Sequence, residues 1–215
     1  MARYRRFNAM TTNKIYVSHS AVLSLGIILL TLLCPPLSAS EANELDTLSL
    51  TSFNADSPDF DWYVQNDNVM GGRSEGGFDI SSGQLIFSGN TNTNGGGFSS
   101  IRTQHLKIDL SAYTGIRVKV KADGRRYTWH LQTNARWRGR RVNYWADFDT
   151  LADESNIIDI PFTNFFPQFR GFRLDGFELD TSQITEFGLY QYDKTDGPFE
   201  LRLISIEAYM GSKQP

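Results

Sequence analysis

The sequence predicts an all-β fold, a β-sandwich or jelly roll, and three observations carry that expectation. Short segments in which apolar and polar residues alternate recur along the chain. Gly, Asn, Asp and Pro separate these segments at short intervals. Beyond residue 40, no stretch of ten or more residues sustains the 3.6-residue period of an amphipathic helix. Eight or more short strands punctuated in this way close most simply into two packed sheets.

The first forty residues read as an address. Residues 1–20 carry Arg3, Arg5, Arg6 and Lys14 and no acid, and 21–34 (AVLSLGIILLTLLC) is an apolar run of 14 residues. Pro35-Pro36 ends the run, and Ser38-Ala39-Ser40 offers the small residues that a signal peptidase prefers. Such a run is short for a membrane span and ordinary for the h-region of a signal peptide. The expectation is a signal peptide over 1–40 and export to the periplasm or the extracellular space, with no transmembrane segment after cleavage. The alternative is a membrane tether made by an uncleaved N-terminal segment.

Residues 41–52 are polar, with a weak Leu45/Leu48/Leu50 pattern, and read as a linker or a first edge element. The sandwich is expected over 53–210, with 211–215 as a tail. Segments 78–80 and 84–88 flank Ser81-Ser82-Gly83, a hairpin signal. Ile116, Val118 and Val120 alternate with Arg117, Lys119 and Lys121, the mark of a half-buried strand, and Asp123-Gly124 then turns the chain. Strands are expected at 127–132, 142–148, 156–160, 186–192 and 199–208, and a single turn at 151–155.

Composition narrows the chemistry. From residue 41 onward 17 basic residues face 24 acidic ones, a net charge of −7, which opposes general attraction to nucleic acid. The only cysteine, Cys34, lies in the apolar run, so the domain has no disulfide, Cys-ligated zinc or Cys nucleophile. Gly72-Arg73-Ser74-Glu75-Gly76 fits the spacing of a nucleophile elbow, but that elbow needs a helix after it, and 77–80 reads as a strand. The pairs Asp59/Asp61 and Asp147/Asp149 share strand faces as glycosidase acids could, yet such acids usually come from different strands. No catalytic residue, metal ligand or cofactor is therefore assigned, and the protein is expected to bind rather than catalyse.

Residues 125–145 are the strongest binding candidate. Six arginines (125, 126, 136, 138, 140, 141) are interleaved here with Tyr127, Trp129, Trp137, Tyr144 and Trp145. Strand alternation sends Tyr127, Trp129, Leu131, Val142, Tyr144, Ala146 and Phe148 to the core. His130, Gln132, Arg141, Asn143 and Trp145 then fall on the outer face, with 136–141 as a mobile basic loop around Trp137. Such a face suits a sugar ring or a partner's carboxylates; the plain alternative is a solvated sheet face with a salt-bridged loop.

Three stretches resemble the complex I intermediate-associated protein 30 family. The most specific is Asn66-Asp67-Asn68-Val69-Met70-Gly71-Gly72-Arg73-Ser74, similar to that family's D-N-V-M-G-G-x-S signature. The second joins Gly97-Phe98-Ser99-Ser100-Ile101-Arg102 to 109–116; the third joins Ile160-Pro161-Phe162 and Phe165 to Asp193-Lys194 and Gly197-Pro198-Phe199. The resemblance implies a jelly roll similar to galactose-binding and carbohydrate-binding modules. It also implies a non-enzymatic role like that of the mitochondrial members, which assist assembly of NADH:ubiquinone oxidoreductase; some plant relatives act on RNA. Its expected partner is a protein in a membrane or envelope complex, or alternatively a glycan. The motif loop, with Val69 in the core, reads either as a tight connection or as an oxygen-rich rim for a partner or a calcium ion.

Overall fold

The computed structural model describes residues 47–58 and 60–211; the expected signal peptide, most of the 41–52 segment and most of the tail lie outside them. Thirteen strands form two antiparallel sheets. They are β1 (Thr47–Thr51), β2 (Tyr63–Val64), β3 (Glu75–Ser81), β4 (Gln84–Thr91), β5 (Ser99–Arg102), β6 (Gly115–Asp123) and β7 (Arg126–Trp137). After these come β8 (Arg140–Asp149), β9 (Ala152–Pro161), β10 (Phe166–Phe169), β11 (Phe172–Arg173), β12 (Glu186–Gln191) and β13 (Gly197–Tyr209).

One sheet runs β3-β4-β13-β6-β9, and β1 takes up the edge of β13 where β4 leaves it. The other runs β11-β10-β8-β7-β12-β5-β2. Eight of the twelve successive connections among these strands cross between the sheets, as in a jelly roll, and the others stay within one sheet. Leu85, Phe87, Val118, Val120, Leu201 and Leu203 from the first sheet meet Ile101, Trp129, Leu131, Tyr144, Phe187 and Leu189 from the second in one core. Each such side chain contributes about 1.5–3 kcal/mol by leaving water.

Of the two readings of 41–52, the described residues 47–51 take the edge element, pairing with β13. Other local expectations do change. The turn expected at 151–155 is instead the start of β9, because Ala152 and Ser155 already pair with β6. The supposed basic loop 136–141 is a continuous hairpin: Arg136 pairs with Arg141 and Trp137 with Arg140, leaving a two-residue turn at Arg138-Gly139. Both turn residues have positive φ, 48° and 77°, the conformation that favours a hairpin turn with glycine second. Arg170-Gly171 closes β10 onto β11 with φ of 48° and 84° in the same way.

Candidate functional site

Strand alternation sorts β7 and β8 as expected on the core side: Tyr127, Trp129, Leu131, Val142, Tyr144, Ala146 and Phe148 are all buried. On the opposite side, register draws separate strands into transverse rows. One row runs Phe166, Trp145, His130, Gly188, Arg102, Tyr63. Beside it lies Gln168, Asn143, Gln132, Glu186. This side is not the open face that alternation alone suggests, since His130 is 0% exposed and Gln132 is buried. Large neighbours cover it: the Tyr190 ring lies 5.6 Å from the His130 ring and 4.9 Å from that of Trp145. Gly188 makes room, for a Cβ there would sit 2.7 Å from His130 Nδ1.

A directed hydrogen-bond chain runs through the second row. Arg141 Nη1 donates to Gln132 Oε1 at 3.2 Å, and Gln132 Nε2 donates to Asn143 Oδ1 at 2.7 Å. Asn143 Oδ1 also lies 3.0 Å from His130 Nε2. Because a guanidinium only donates, Arg141 fixes the direction of the chain and places the imidazole proton on Nε2. Burial, reinforced by the Arg102 charge, holds His130 well below the ordinary histidine range, so the ring is neutral. Its Nδ1 is an unpartnered acceptor 3.6 Å from Glu186 Oε1. Burial pushes the Glu186 carboxyl up against the opposing pull of Arg102 and Arg141, and it pushes the Tyr190 hydroxyl up to about 12.

Above this layer lies a divided cleft. One half, about 420 Å³, has Arg102, Trp145, Tyr190, Phe98, Val69, Met70 and Arg170 in its lining. The second half, about 520 Å³, is lined by Phe166, Arg173, Arg126, Asp147, Asp149 and Lys194 among others. Trp145, Gln168, Gly171 and Tyr192 belong to both. Asp147 accepts from Thr128 Oγ1 at 2.6 Å, and Asp149 pairs with Arg126 at 2.9 Å, so each is already engaged. Asp59 lies outside the described residues.

The motif loop divides between structure and surface. Asp67 is fully buried and accepts from Ser74 N (2.9 Å), Ser74 Oγ (2.7 Å), Gly97 N (2.6 Å) and Phe98 N (3.2 Å). These donors occupy both carboxylate oxygens, which argues against the calcium reading. A Cβ on either Gly72 or Gly96 would strike the Asp67 carboxylate at 2.2 Å. Asn66 Nδ2 donates to the Gly76 carbonyl at 2.9 Å, and Gly71 closes the 3-10 helix Asp67–Met70 with φ of 88°. Ser74 Oγ also accepts from Asn92 N, so this serine is a buried structural group rather than a nucleophile. Val69, expected in the core, is instead 63% exposed, and Met70 is 62% exposed, with Asn68 exposed beside them. The buried Asp67 draws the short helix inward by its first residue, which turns the next three outward.

Trp137 stands apart from the His130 layer. It packs on Phe169 at 5.4 Å, with Arg138 4.6 Å over its ring, while Arg140 and Arg170 lie 6.0 and 5.6 Å over Phe169. Arg136, Arg138, Arg140, Arg170 and Arg173 are exposed, and none makes an ion pair among the described residues. The structure also adds Glu186, Tyr190 and Tyr192, which sequence reasoning missed, and brings in Phe98 and Arg102, which it had quoted only as part of the second family stretch. Tyr190 and Tyr192 do carry a signal, two like rings at strand spacing.

The family model for complex I intermediate-associated protein 30 matches residues 51–203. The chain belongs to this family. A relative in Schizosaccharomyces pombe, an uncharacterised protein, is 28% identical over 173 residues, covering 68% of this chain and 79% of its own. Solved structures with this fold include the family 11 carbohydrate-binding module of Clostridium thermocellum in complex with a β-1,3-1,4-mixed-linked tetrasaccharide. It has a TM-score of 0.57 and 14% identity over 79% of this chain and 99% of that one. A family 30 carbohydrate-binding module has a TM-score of 0.52 and 15% identity over 80% of this chain and 92% of that one. At such identity these likenesses establish the jelly-roll fold of the complex I intermediate-associated protein 30 chain and nothing more. Among the described residues no helix is long and apolar enough to cross a membrane.

Proposed function

We propose that this chain is a non-catalytic binding domain that holds a segment of a partner protein in its cleft during assembly of a membrane or envelope complex. The observation that carries the reading is the rim. Val69 and Met70, both from the family motif, are exposed and line the cleft together with the rings of Trp145, Tyr192 and Phe98. Exposed apolar side chains flanking a formed groove mark a protein-interaction site. The family's designation supports a partner within an assembling complex, and the engagement of Asp147 and Asp149 supports a non-enzymatic role. Export, read from the first forty residues, would place that partner on the outer side of the membrane.

The test is a pull-down of tagged full-length protein from its own membranes, beside Trp145→Ala and Met70→Asp. Subunits of one complex recovered with wild type and lost with both variants are expected. Recovery unchanged by either variant refutes the cleft as the site.

A second reading, an oligosaccharide in the same cleft, is favoured by rings flanked by amides: Trp145, Tyr192 and Phe166 beside Gln168 and Asn143. Ring stacking is weakly screened, so sugar binding should persist at high salt while a charged protein contact associates more slowly. Calorimetry with the mixed-linked tetrasaccharide at low and high salt separates the two.

A further inference from the structure

We propose that the half of the cleft between Trp145 and the Val69–Met70 rim is an anion subsite, in which an acidic side chain of the partner segment pairs with Arg102. This rests on the protein-partner reading above and specifies its chemistry. The domain is acidic overall, yet the lining of this half includes Arg102 and Arg170 and no Asp or Glu. The positive charge is therefore local and faces the groove.

Arg102 is short of hydrogen-bond acceptors where it lies, although Glu186 is within ion-pair distance and the Tyr63 hydroxyl also interacts with it. Its side chain is only 15% exposed, its Nη2 donates to the Tyr190 hydroxyl, and its guanidinium carbon sits 5.1 Å over the Tyr190 ring. The nearest carboxylate oxygen, Glu186 Oε1, is 3.6 Å from Nη1, beyond hydrogen-bonding reach. Arg102 Nε and Glu186 Oε1 are both buried without a hydrogen-bond partner, as is His130 Nδ1 beside them. A guanidinium offers five donors in a fork that matches a carboxylate, and a buried cation left short of acceptors is costly. Burial pushes the Glu186 carboxyl up, which weakens it further as a counter-ion. An arriving carboxylate would add acceptors for the guanidinium donors that face the cleft, while Val69, Met70 and Phe98 would meet apolar residues beside it. That mixture favours a polypeptide, an acid with apolar neighbours, over a uniformly polar polyanion.

The arrangement makes Glu186 an internal competitor for Arg102, and this sets the test. The probes are short fluorescent blocked peptides with a Glu between apolar residues, and their Gln twins, titrated against the full chain by anisotropy. Wild type should hold the Glu peptides roughly tenfold tighter than the twins, about the worth of one charge-assisted hydrogen bond. Glu186→Gln should tighten the Glu peptides severalfold and leave the twins unchanged, whereas a purely structural Glu186 would weaken both when lost. Arg102→Met should erase the discrimination; a thermal melt of each variant confirms that it is folded, and Glu186→Gln carries the test if Arg102→Met is not. Equal binding of Glu and Gln peptides overturns the subsite while leaving the protein-partner reading intact. Binding of neither, with polygalacturonate bound instead and responding to Glu186→Gln, overturns the peptide in favour of an acidic glycan. Failure of the membrane pull-down, by contrast, removes the partner reading itself.

Discussion

Replacing Asp67 by Ala should cripple the domain. Four donors converge on this carboxylate from two places in the chain: Ser74 twice, and the neighbours Gly97 and Phe98. A hydrogen bond to a charged group contributes about 1.5–3 kcal/mol, and a buried donor left alone costs a similar amount. Ser74 Oγ keeps the Asn92 carbonyl as an acceptor at 3.3 Å, and water can enter the vacated space to serve a second donor. With two donors still unsatisfied, the expected loss is about 3–6 kcal/mol, a large share of the roughly 5–15 kcal/mol of a typical domain. Denaturant titration followed by tryptophan fluorescence reads the loss directly. Burial pushes the Asp67 carboxyl up, but the bonds from Gly97, Ser74 and Phe98 outweigh it and hold it below the ordinary 3.8. A depressed carboxyl stabilises the fold at every pH above 3.8 and loses that contribution as pH falls through its folded value. Acid unfolding in wild type should therefore include a limb below about pH 4 that Asp67→Ala lacks. A variant within about 1 kcal/mol of wild type, with the same acid limb, would refute the account of Asp67 as a structural tie.

Other substitutions test the remaining assignments. Val69→Asp should leave the thermal midpoint nearly unchanged, while Phe199→Asp, at a residue 3% exposed, should unfold the domain by burying an unpaired charge. Gly188→Ala sets a methyl 2.7 Å from His130 Nδ1 and 3.2 Å from its Cβ; the enclosed ring cannot yield, and a loss of about 1–3 kcal/mol is expected in urea titration. Arg125→Met should cost about 1.5–3 kcal/mol, because it strands half-buried Asp193 and releases the carbonyls of Thr195, Gly197 and Pro198. Hydrogen exchange over 193–198 would rise in that variant.

Which parts of this were legible follows from what alternation encodes. The pattern Ile116, Val118, Val120 against Arg117, Lys119, Lys121 states both the strand and its inward side, and β6 obeys it. On β7 the same parity separates Trp129 from His130 correctly but is silent on what covers the second face. That cover comes from Tyr190 on β12, distant in sequence. The pairing of Arg102 with Glu186 is equally non-local and leaves no trace in either segment. Short strands fared worst: β10 and β11 have too few residues to alternate, although Arg170-Gly171 between Phe169 and Phe172 was a readable hairpin signal. The motif loop misled because Asn, Asp and Gly announce a turn without saying which side chain goes in. Asp67 goes in and Val69 comes out, the reverse of their hydrophobicity.

The Asp67 tie has a consequence for where the domain can live. It fastens the 3-10 helix to Ser74 and to the Gly97-Phe98 segment, a task that sandwich domains of secreted proteins often give to a disulfide. A disulfide needs an oxidising compartment and fails in a reducing one, whereas this fastening is indifferent to electrons and yields only to protons. The same chain can accordingly reach the same fold in a reducing cytoplasm or matrix and in an oxidising exterior. For a jelly roll fastened like this one, the redox poise of its surroundings is not a condition of folding.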